Sequence, residues 1–142
     1  MFEEREISRA FIREAEDDFD SAFSLLEKGK FSKVVMLCQS CAEKSIKAAL
    51  ILKKIISSEH KVIDLFIKEY SKELKEINKI ENAVRFFERE GIKTRYPLFS
   101  RKDKPLWLPS ESYNQRDAEE SLQKAEFILN AIKNFLKDKY NV

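Results

Sequence analysis

The sequence has few residues that interrupt helices, because only two glycines and three prolines occur among its 142 residues. That composition favours long helices over a turn-rich β fold. The length fits one domain with a sizeable core. We therefore predict an all-α fold, an up-and-down bundle of four to five helices, with residues 1–142 as a single domain.

Signals for export and membrane insertion are also missing. The first residues, Met-Phe-Glu-Glu-Arg-Glu, lack the cationic start and the apolar run of a signal peptide. No apolar stretch approaches the roughly eighteen residues of a transmembrane helix. We expect a soluble, cytoplasmic protein that does not contact a membrane.

A strong charge of one sign is absent as well. Charged residues make up 37% of the chain but leave a net charge of only +2. The surface as a whole is therefore not built to bind nucleic acid, and any basic patch must be local. The abundance of Lys and Glu is typical of proteins from hot environments, although A/T-rich coding produces the same balance. A thermophilic source is thus one of two explanations for the abundance of Lys and Glu.

Cysteine is scarce, and its two copies, Cys38 and Cys41, stand one helical turn apart. A redox pair would normally occupy a helix start beside a βα unit, which the sequence lacks. Two cysteines without a second pair of ligands do not form a zinc site either. We predict reduced, buried thiols that let a neighbouring helix approach closely.

What the chain does have is a largely apolar segment, Phe31 to Ile56, which we interpret as an interior helix. At about 100° per residue, its apolar side chains cover most of the circumference. The remaining polar stripe consists of Ser40, Glu43, Lys44 and Lys47. Because polar groups on a mostly buried helix need partners, this stripe is the candidate functional surface.

A first helix precedes this segment and ends at Lys28-Gly29, where glycine can adopt the left-handed cap conformation. The short connection to Phe31 predicts an antiparallel αα-hairpin. The apolar stripe of this first helix recurs every three or four residues, at Ile7, Phe11, Ala15, Phe19, Ala22 and Leu26.

Two shorter helices are predicted next. Ser58 is the expected N-cap of a third helix. A fourth extends from Leu74 to Gly91, and a kink near Tyr70-Ser71 would separate it from the third.

The last helix is predicted to start near Asn114 or Gln115. It carries a seam that could face another helix, with the first helix as the expected partner, at Ala118, Leu122, Ala125, Leu129, Ile132 and Leu136. Three additional apolar residues, Phe127, Ile128 and Phe135, widen this stripe and could serve a second subunit.

Between the fourth and last helices, residues 92–113 carry all three prolines and do not fit a helix. Basic and aromatic residues alternate there, a composition that suits phosphate or nucleotide binding. The alternative is a loop that packs on the bundle through Tyr96, Leu98, Trp107 and Leu108 while its lysines stay in solvent. The basic and aromatic residues are Arg95, Tyr96, Arg101, Lys102, Lys104 and Trp107.

Taken in order, several short motifs resemble the HEPN domain family, an all-α domain that commonly accompanies a minimal nucleotidyltransferase. The resemblance covers most of the chain and implies a helical bundle, frequently homodimeric, with a polar site near the dimer interface or in an inter-helix groove. The matching positions are Ala15, Asp18, Ala22 and Leu26, then Gly29-Lys30-Phe31, Gln39, Ala42-Glu43-Lys44, Lys47-Ala48, His60, Arg95-Tyr96-Pro97, Tyr113 and Asp117-Ala118.

Many members of this family are metal-independent ribonucleases that use an Arg and a His about four to six residues apart. That chemistry needs a general acid or base and a cation to stabilise the phosphorane. The only histidine, His60, has no arginine between Arg13 and Arg85, so the motif is absent. An RNase toxin would require His60 to pair in space with Arg95, and the missing motif argues against an enzyme.

The resemblance otherwise implies that the domain binds a nucleotide-like or polyphosphate ligand. It also implies a helper role beside a nucleotidyltransferase in a two-gene module of the toxin–antitoxin kind. Lysines and Arg95 would neutralise phosphates, and Tyr96 or Trp107 would stack on a base. The predicted ligand-binding residues are Asp18, Glu43, Lys44, Lys47, Arg95 and Tyr96. We expect no metal and no cofactor.

A purely structural role for the same residues is the alternative. Glu43 and Lys47 form a favourable i,i+4 pair, and Asp18 on the facing helix could complete a charge network that fixes helix register. Under this interpretation the protein is a dimerisation scaffold.

Overall fold

The computed structural model describes residues 2–99 and 105–142, and these form a helical bundle. Arg101, Lys102 and Lys104 of the basic, aromatic segment lie outside the described residues. Within the described part there is no regular strand, so the predicted all-α class is confirmed. The helices are α1 (Glu4–Glu27), α2 (Phe31–Leu52), α3 (Ile63–Tyr70), α4 (Ile77–Glu90), α5 (Pro109–Ser112) and α6 (Gln115–Tyr140).

The hairpin of α1 and α2 forms as predicted. Gly29 adopts a φ of +69°, and the backbone N–H of Lys30 donates to the carbonyl of Leu25 over 3.2 Å. This pairing closes the carboxyl end of α1 and reverses the chain. α2 then lies at the centre of the bundle, where it packs on both α1 and α6.

The predicted end of α2 at Ile56 is wrong, because the helix stops at Leu52. Lys54 takes a left-handed φ of 62°, and the N–H of Ile55 donates to the carbonyl of Leu50 over 3.1 Å. This is the same cap geometry that Gly29 provides for α1, made here with a lysine. Because the apolar residues continue past the cap, their periodicity does not reveal it.

α3 begins at Ile63, so Ser58 is not its N-cap. Its first amides are satisfied by a carboxylate from another helix. The N–H groups of Val62 and Ile63 donate to Glu88 Oε2 on α4, over 2.8 and 3.3 Å. A cap supplied from α4 leaves no local sequence signal, since the usual N-cap side chain belongs to the same segment as the helix it caps.

α4 begins at Ile77, later than the predicted Leu74. A turn over residues 71–76 separates α3 from α4, in place of the predicted kink. The N–H of Leu74 donates to the carbonyl of Tyr70 over 3.1 Å within this turn. Leu74 therefore packs against the core from a turn that precedes the helix.

The connection from α4 to α6 is held to the bundle by specific contacts. A 3-10 turn covers Gly91–Thr94, and Leu98 and Trp107 form an isolated antiparallel bridge. The indole N–H of Trp107 donates to the carbonyl of Lys93 over 2.8 Å. Trp107 and Leu98 thus follow the packed-loop alternative, whereas Tyr96 is 58% exposed.

α6 starts at Gln115, as predicted, with Asn114 as its N-cap in a reciprocal capping box with Asp117. All six residues of its predicted seam are buried, and α6 packs more extensively on α2 than on α1. Ile128 is fully buried, and the Phe135 ring meets Tyr70 edge-on with centroids 5.5 Å apart. Much of the additional apolar surface is therefore used within the chain.

The two cysteines are buried and free, as predicted. Burial raises the pKa of the Cys41 thiol to about 12 and the pKa of the Cys38 thiol further, so both thiols stay protonated at neutral pH. Across residues 2–99 and 105–142, no helix combines the length and apolar character required to cross a membrane.

Candidate functional site

A cavity of about 580 Å³ opens between α2, the segment before α3, α4 and the 3-10 turn. Its size lies within the usual range for small-molecule sites, about 300–1,000 Å³. Part of its lining is apolar and is contributed by Ala42, Val84, Phe87 and Ile92. The polar part of the lining consists of Gln39, Glu43, Glu59, His60, Lys61, Glu88, Arg95 and Tyr96.

Glu43 links two basic side chains at this cavity. Its Oε1 lies 3.1 Å from His60 Nδ1, and its Oε2 lies 3.0 Å from Lys47 Nζ. A carboxylate only accepts hydrogen bonds, so Nδ1 of the imidazole carries the proton in this contact. The His60 side chain is 81% exposed, whereas that of Glu43 is 20% exposed. Glu43 therefore holds His60 at the cavity mouth with Nε2 available to a ligand.

Arg95 and Tyr96 reach the same cavity from the end of the 3-10 turn. The N–H groups of both residues donate to the carbonyl of Ile92, over 3.0 and 3.2 Å, which fixes their backbone. Among residues 2–99 and 105–142, no carboxylate forms an ion pair with Arg95. The cavity thus offers a guanidinium and an exposed phenol ring beside the imidazole.

Asp18 and Lys44 lie elsewhere, between α1 and α2. Lys44 Nζ is 2.7 Å from Asp18 Oδ2, and the Ser40 hydroxyl donates to the same oxygen over 2.8 Å. Neither Asp18 nor Lys44 lines the cavity. Asp18 therefore pairs with Lys44 and Ser40, whereas the predicted network joined it to Glu43 and Lys47.

The six predicted ligand-binding residues thus fall into two groups. Glu43, Arg95 and Tyr96 line the cavity, and Lys47 is bonded to Glu43 behind it. The structure also brings His60 into the same cavity as Arg95, which the ribonuclease alternative required. Trp107 is not part of this lining, and its ring packs edge-on against Tyr113 with centroids 5.8 Å apart.

Four polar residues of the cavity were not predicted as site residues: Gln39, Glu59, Lys61 and Glu88. Gln39 stands four positions before Glu43 and so continues the polar stripe of α2. Glu88 stands four positions after the buried Val84, on the apolar side of α4. Burial raises the pKa of the Glu88 carboxyl, while its bonds to the amides of α3 act in the opposite direction. The signal in the sequence that could have identified Glu88 is its position as a charged residue on the apolar face of α4.

Residues 8–135 match the family model of the HEPN domain, so the chain belongs to the HEPN family. It is 38% identical over 147 residues to "Putative toxin MJ1304" of Methanocaldococcus jannaschii, in an alignment that covers 95% of this chain and 91% of that protein. The family expected from the sequence motifs is thereby confirmed.

Two solved structures are similar to this fold. The archaeal HEPN homologue ST0689 matches with a TM-score of 0.68 and 27% identity, over 89% of this chain and 95% of that one. TT1696 from Thermus thermophilus matches with a TM-score of 0.72 and 22% identity, over 91% and 98% of the two chains. At 22% identity, the similarity to TT1696 concerns the fold alone.

Proposed function

We propose that the cavity of this HEPN domain binds a nucleotide, either free or as one unit of a longer chain. The observation that carries the proposal is the combination within one cavity of apolar walls, the exposed Tyr96 ring and two cations, Arg95 and Lys61. A base would contact the apolar walls and stack on Tyr96. The phosphate would pair with Arg95, whose planar guanidinium can donate two hydrogen bonds to it.

Charge in the cavity favours a ligand with few phosphates. Three carboxylates, from Glu43, Glu59 and Glu88, line it together with the two permanent cations Lys61 and Arg95. Lys47 neutralises Glu43 from behind, but the excess of positive charge that a polyphosphate chain requires is missing. A nucleoside monophosphate or one nucleotide of RNA fits this balance better than a polyphosphate does.

Calorimetric titration at low salt with nucleoside mono- and triphosphates tests the proposal. We expect Arg95→Ala to weaken monophosphate binding about tenfold, as for loss of a charge-assisted contact. Arg89→Ala is the matched control, because Arg89 is an exposed arginine of α4 outside the cavity lining. Absence of binding by the wild-type protein, or an equal loss in both variants, would contradict a nucleotide site here.

Cleavage of RNA is a second candidate function, favoured by the contact between Glu43 and His60 in the cavity that Arg95 also lines. The imidazole would act as general acid or base, and Arg95 would stabilise charge on the phosphorane. The similarity to a protein named as a toxin is consistent with this activity. It would be metal-independent.

Incubation of the purified protein with RNA in EDTA tests this activity. We expect cleavage that His60→Ala abolishes and that Glu43→Gln reduces, since the amide can still contact Nδ1 but does not stabilise a charged imidazole. The test variants are compared with Lys44→Ala, which lies outside the cavity. Intact RNA with the wild-type protein, or unchanged cleavage by His60→Ala, would exclude this candidate.

We further propose that the protein works as a homodimer with a minimal nucleotidyltransferase in a two-gene module, acting in a toxin–antitoxin pair. The family resemblance supports this, as do two exposed residues of the cavity lining, Ile92 and Tyr96, at 57% and 58% exposure. Light scattering of the protein alone, and co-purification with a nucleotidyltransferase encoded next to it, test the two partners separately. A monomer that retains no such partner would contradict the proposal.

A further inference from the structure

We infer that Gln39 and Glu88 are positioning residues, which hold the two chain segments that carry Arg95 and His60 at the cavity. The inference rests on the proposed nucleotide site and adds a role for two side chains that line it and are bonded to neighbouring segments. Gln39 bonds a neighbouring segment through both polar atoms of its amide, and Glu88 does so through Oε2.

Glu88 holds the segment that carries His60. Its Oε2 accepts the N–H groups of Val62 and Ile63, over 2.8 and 3.3 Å, at the first turn of α3. α3 has no side-chain cap of its own, and His60 precedes Val62 by only two residues. The start of α3, and with it the direction from which His60 approaches the cavity, is therefore set by a carboxylate on α4.

Gln39 holds the segment that carries Arg95. Its Nε2 donates to the carbonyls of Phe87 and Gly91, over 3.1 and 3.0 Å. Its Oε1 accepts the hydroxyl of Thr94 over 3.2 Å, and Thr94 is fully buried directly before Arg95. A side-chain amide has two N–H donors, and both are used here.

Both contacts meet at the carboxyl end of α4. Glu88 directly follows Phe87, whose carbonyl accepts a hydrogen bond from Gln39. The second carbonyl that Gln39 bonds belongs to Gly91, the first residue of the 3-10 turn. The end of α4 therefore contacts both segments, the one that carries His60 and the one that carries Arg95. Fixing both groups before binding reduces the entropy that a ligand must overcome, so affinity depends on residues that need not contact it.

Variants of Glu88 separate positioning from direct contact. Glu88→Gln retains an acceptor oxygen for the two amides, and we expect hydrogen exchange at Val62 and Ile63 to stay near that of the wild type. Glu88→Leu removes the acceptor, and we expect about tenfold weaker binding together with faster hydrogen exchange at the Val62 and Ile63 amides. Exchange at these two amides that is equally fast in Glu88→Gln and Glu88→Leu would show that the acceptor oxygen does not hold the start of α3, which overturns the inference.

A folding defect in Glu88→Leu would not end the test. Glu88→Asp keeps the charge but shortens the side chain by one methylene, so the carboxylate withdraws from the amides of α3. We expect the same faster exchange at Val62 and Ile63 in this variant, in smaller measure. Unchanged exchange at both amides would contradict the role of Glu88.

Variants of Gln39 provide the matched test on the other segment. Gln39→Met keeps the approximate size of the side chain and removes its three hydrogen bonds. In the free protein, we expect this change to shift the NMR signals of the Arg95 guanidinium and the Tyr96 ring and to leave the His60 ring unchanged. Glu88→Leu should produce the opposite pattern, and identical patterns would contradict two separate holding contacts.

These measurements distinguish the inference from the proposed function. If the wild-type protein binds no nucleotide, the proposed function fails while the NMR and exchange data still report the positions of Arg95 and His60. If the nucleotide binds but neither set of variants moves those signals, the inference fails and the binding site stands.

Discussion

The polar side chains of α2 contact two different parts of the molecule, α1 and the cavity, because of their spacing along the helix. Ser40 and Lys44 are four residues apart and face Asp18 on α1. Glu43 and Lys47, also four apart, face the cavity side. One step along a helix turns the side chain by about 100°, so Glu43 and Lys44 are directed to different places. Asp18 and Lys44, two of the residues predicted to bind the ligand, therefore pair with each other between α1 and α2.

We predict that Lys44→Met lowers the free energy of unfolding without changing nucleotide affinity. The substitution removes the cation from Asp18, whose side chain is only 14% exposed. The expected loss is about 1 kcal/mol, typical of a partly exposed ion pair. Urea unfolding and calorimetric titration measure the two quantities. Lys47→Met is the contrasting variant, because it frees Glu43 at the cavity and should change affinity as well.

At the scale of the helices, caps decide where the elements end. Gly29 and Asn114 are cap residues with recognisable local signals, and the ends they define were predicted. Lys54 and Glu88 also cap helices, but the local sequence does not signal either cap. Lysine rarely adopts the left-handed conformation that Lys54 takes, and Glu88 caps a helix that is remote from it in sequence. The predictions for the end of α2 and the start of α3 failed for these two reasons.

We predict that Lys54→Gly stabilises the protein. A non-glycine residue at a φ of 62° carries a steric cost that glycine avoids. The expected gain in the free energy of unfolding is about 0.5–1 kcal/mol, less than the full steric cost because glycine loses more backbone entropy on folding. Chemical denaturation measures it.

Lys33→Gly is the control for this substitution. Lys33 is exposed within α2, where glycine is expected to cost about 1 kcal/mol. A loss of stability in both variants would contradict the cap assigned to Lys54.

At the scale of the whole molecule, Glu73 joins three parts of the bundle. Its carboxylate pairs with Lys53 at the end of α2 and accepts the hydroxyl of Tyr140, at the end of α6, over 2.9 Å. The hydrogen bond from Lys53 lowers the pKa of the Glu73 carboxyl, and Tyr140 acts in the same direction. The turn at residues 71–76 is thereby fastened to both long helices.

We predict that this contact stabilises the fold at neutral pH and is lost in acid. A carboxyl whose pKa is lower in the folded state contributes stability above its ordinary pKa, and loses it as the pH falls through the lowered value. Glu73→Gln should therefore reduce the free energy of unfolding by about 0.5–1 kcal/mol at pH 7. Urea midpoints of the wild type and the variant are expected to converge in acid, and a constant difference at all pH values would contradict this.

The cavity itself is a property of the whole molecule. Glu43, His60 and Arg95 come from three separate segments, and Gln39 and Glu88 join those segments through α4. The sequence motifs identified Glu43, Arg95 and Tyr96. The spacing of these residues along the chain contained no information on how far His60 lies from Glu43 or from Arg95. Only the packing of α4 against α2 and α3 brings them to one place.

The sequence by itself determined the helical class, the hairpin of α1 and α2, the buried seam of α6 and membership of the HEPN family. The helical class, the hairpin and the seam follow from local periodicity and glycine or asparagine caps, which act over a few residues, whereas the family was indicated by the resemblance of short motifs in order. The tertiary structure alone decided that the polar stripe of α2 divides between α1 and the cavity, and that Glu88 caps α3. Such contacts depend on the relative position of helices remote in sequence, which local spacing does not encode.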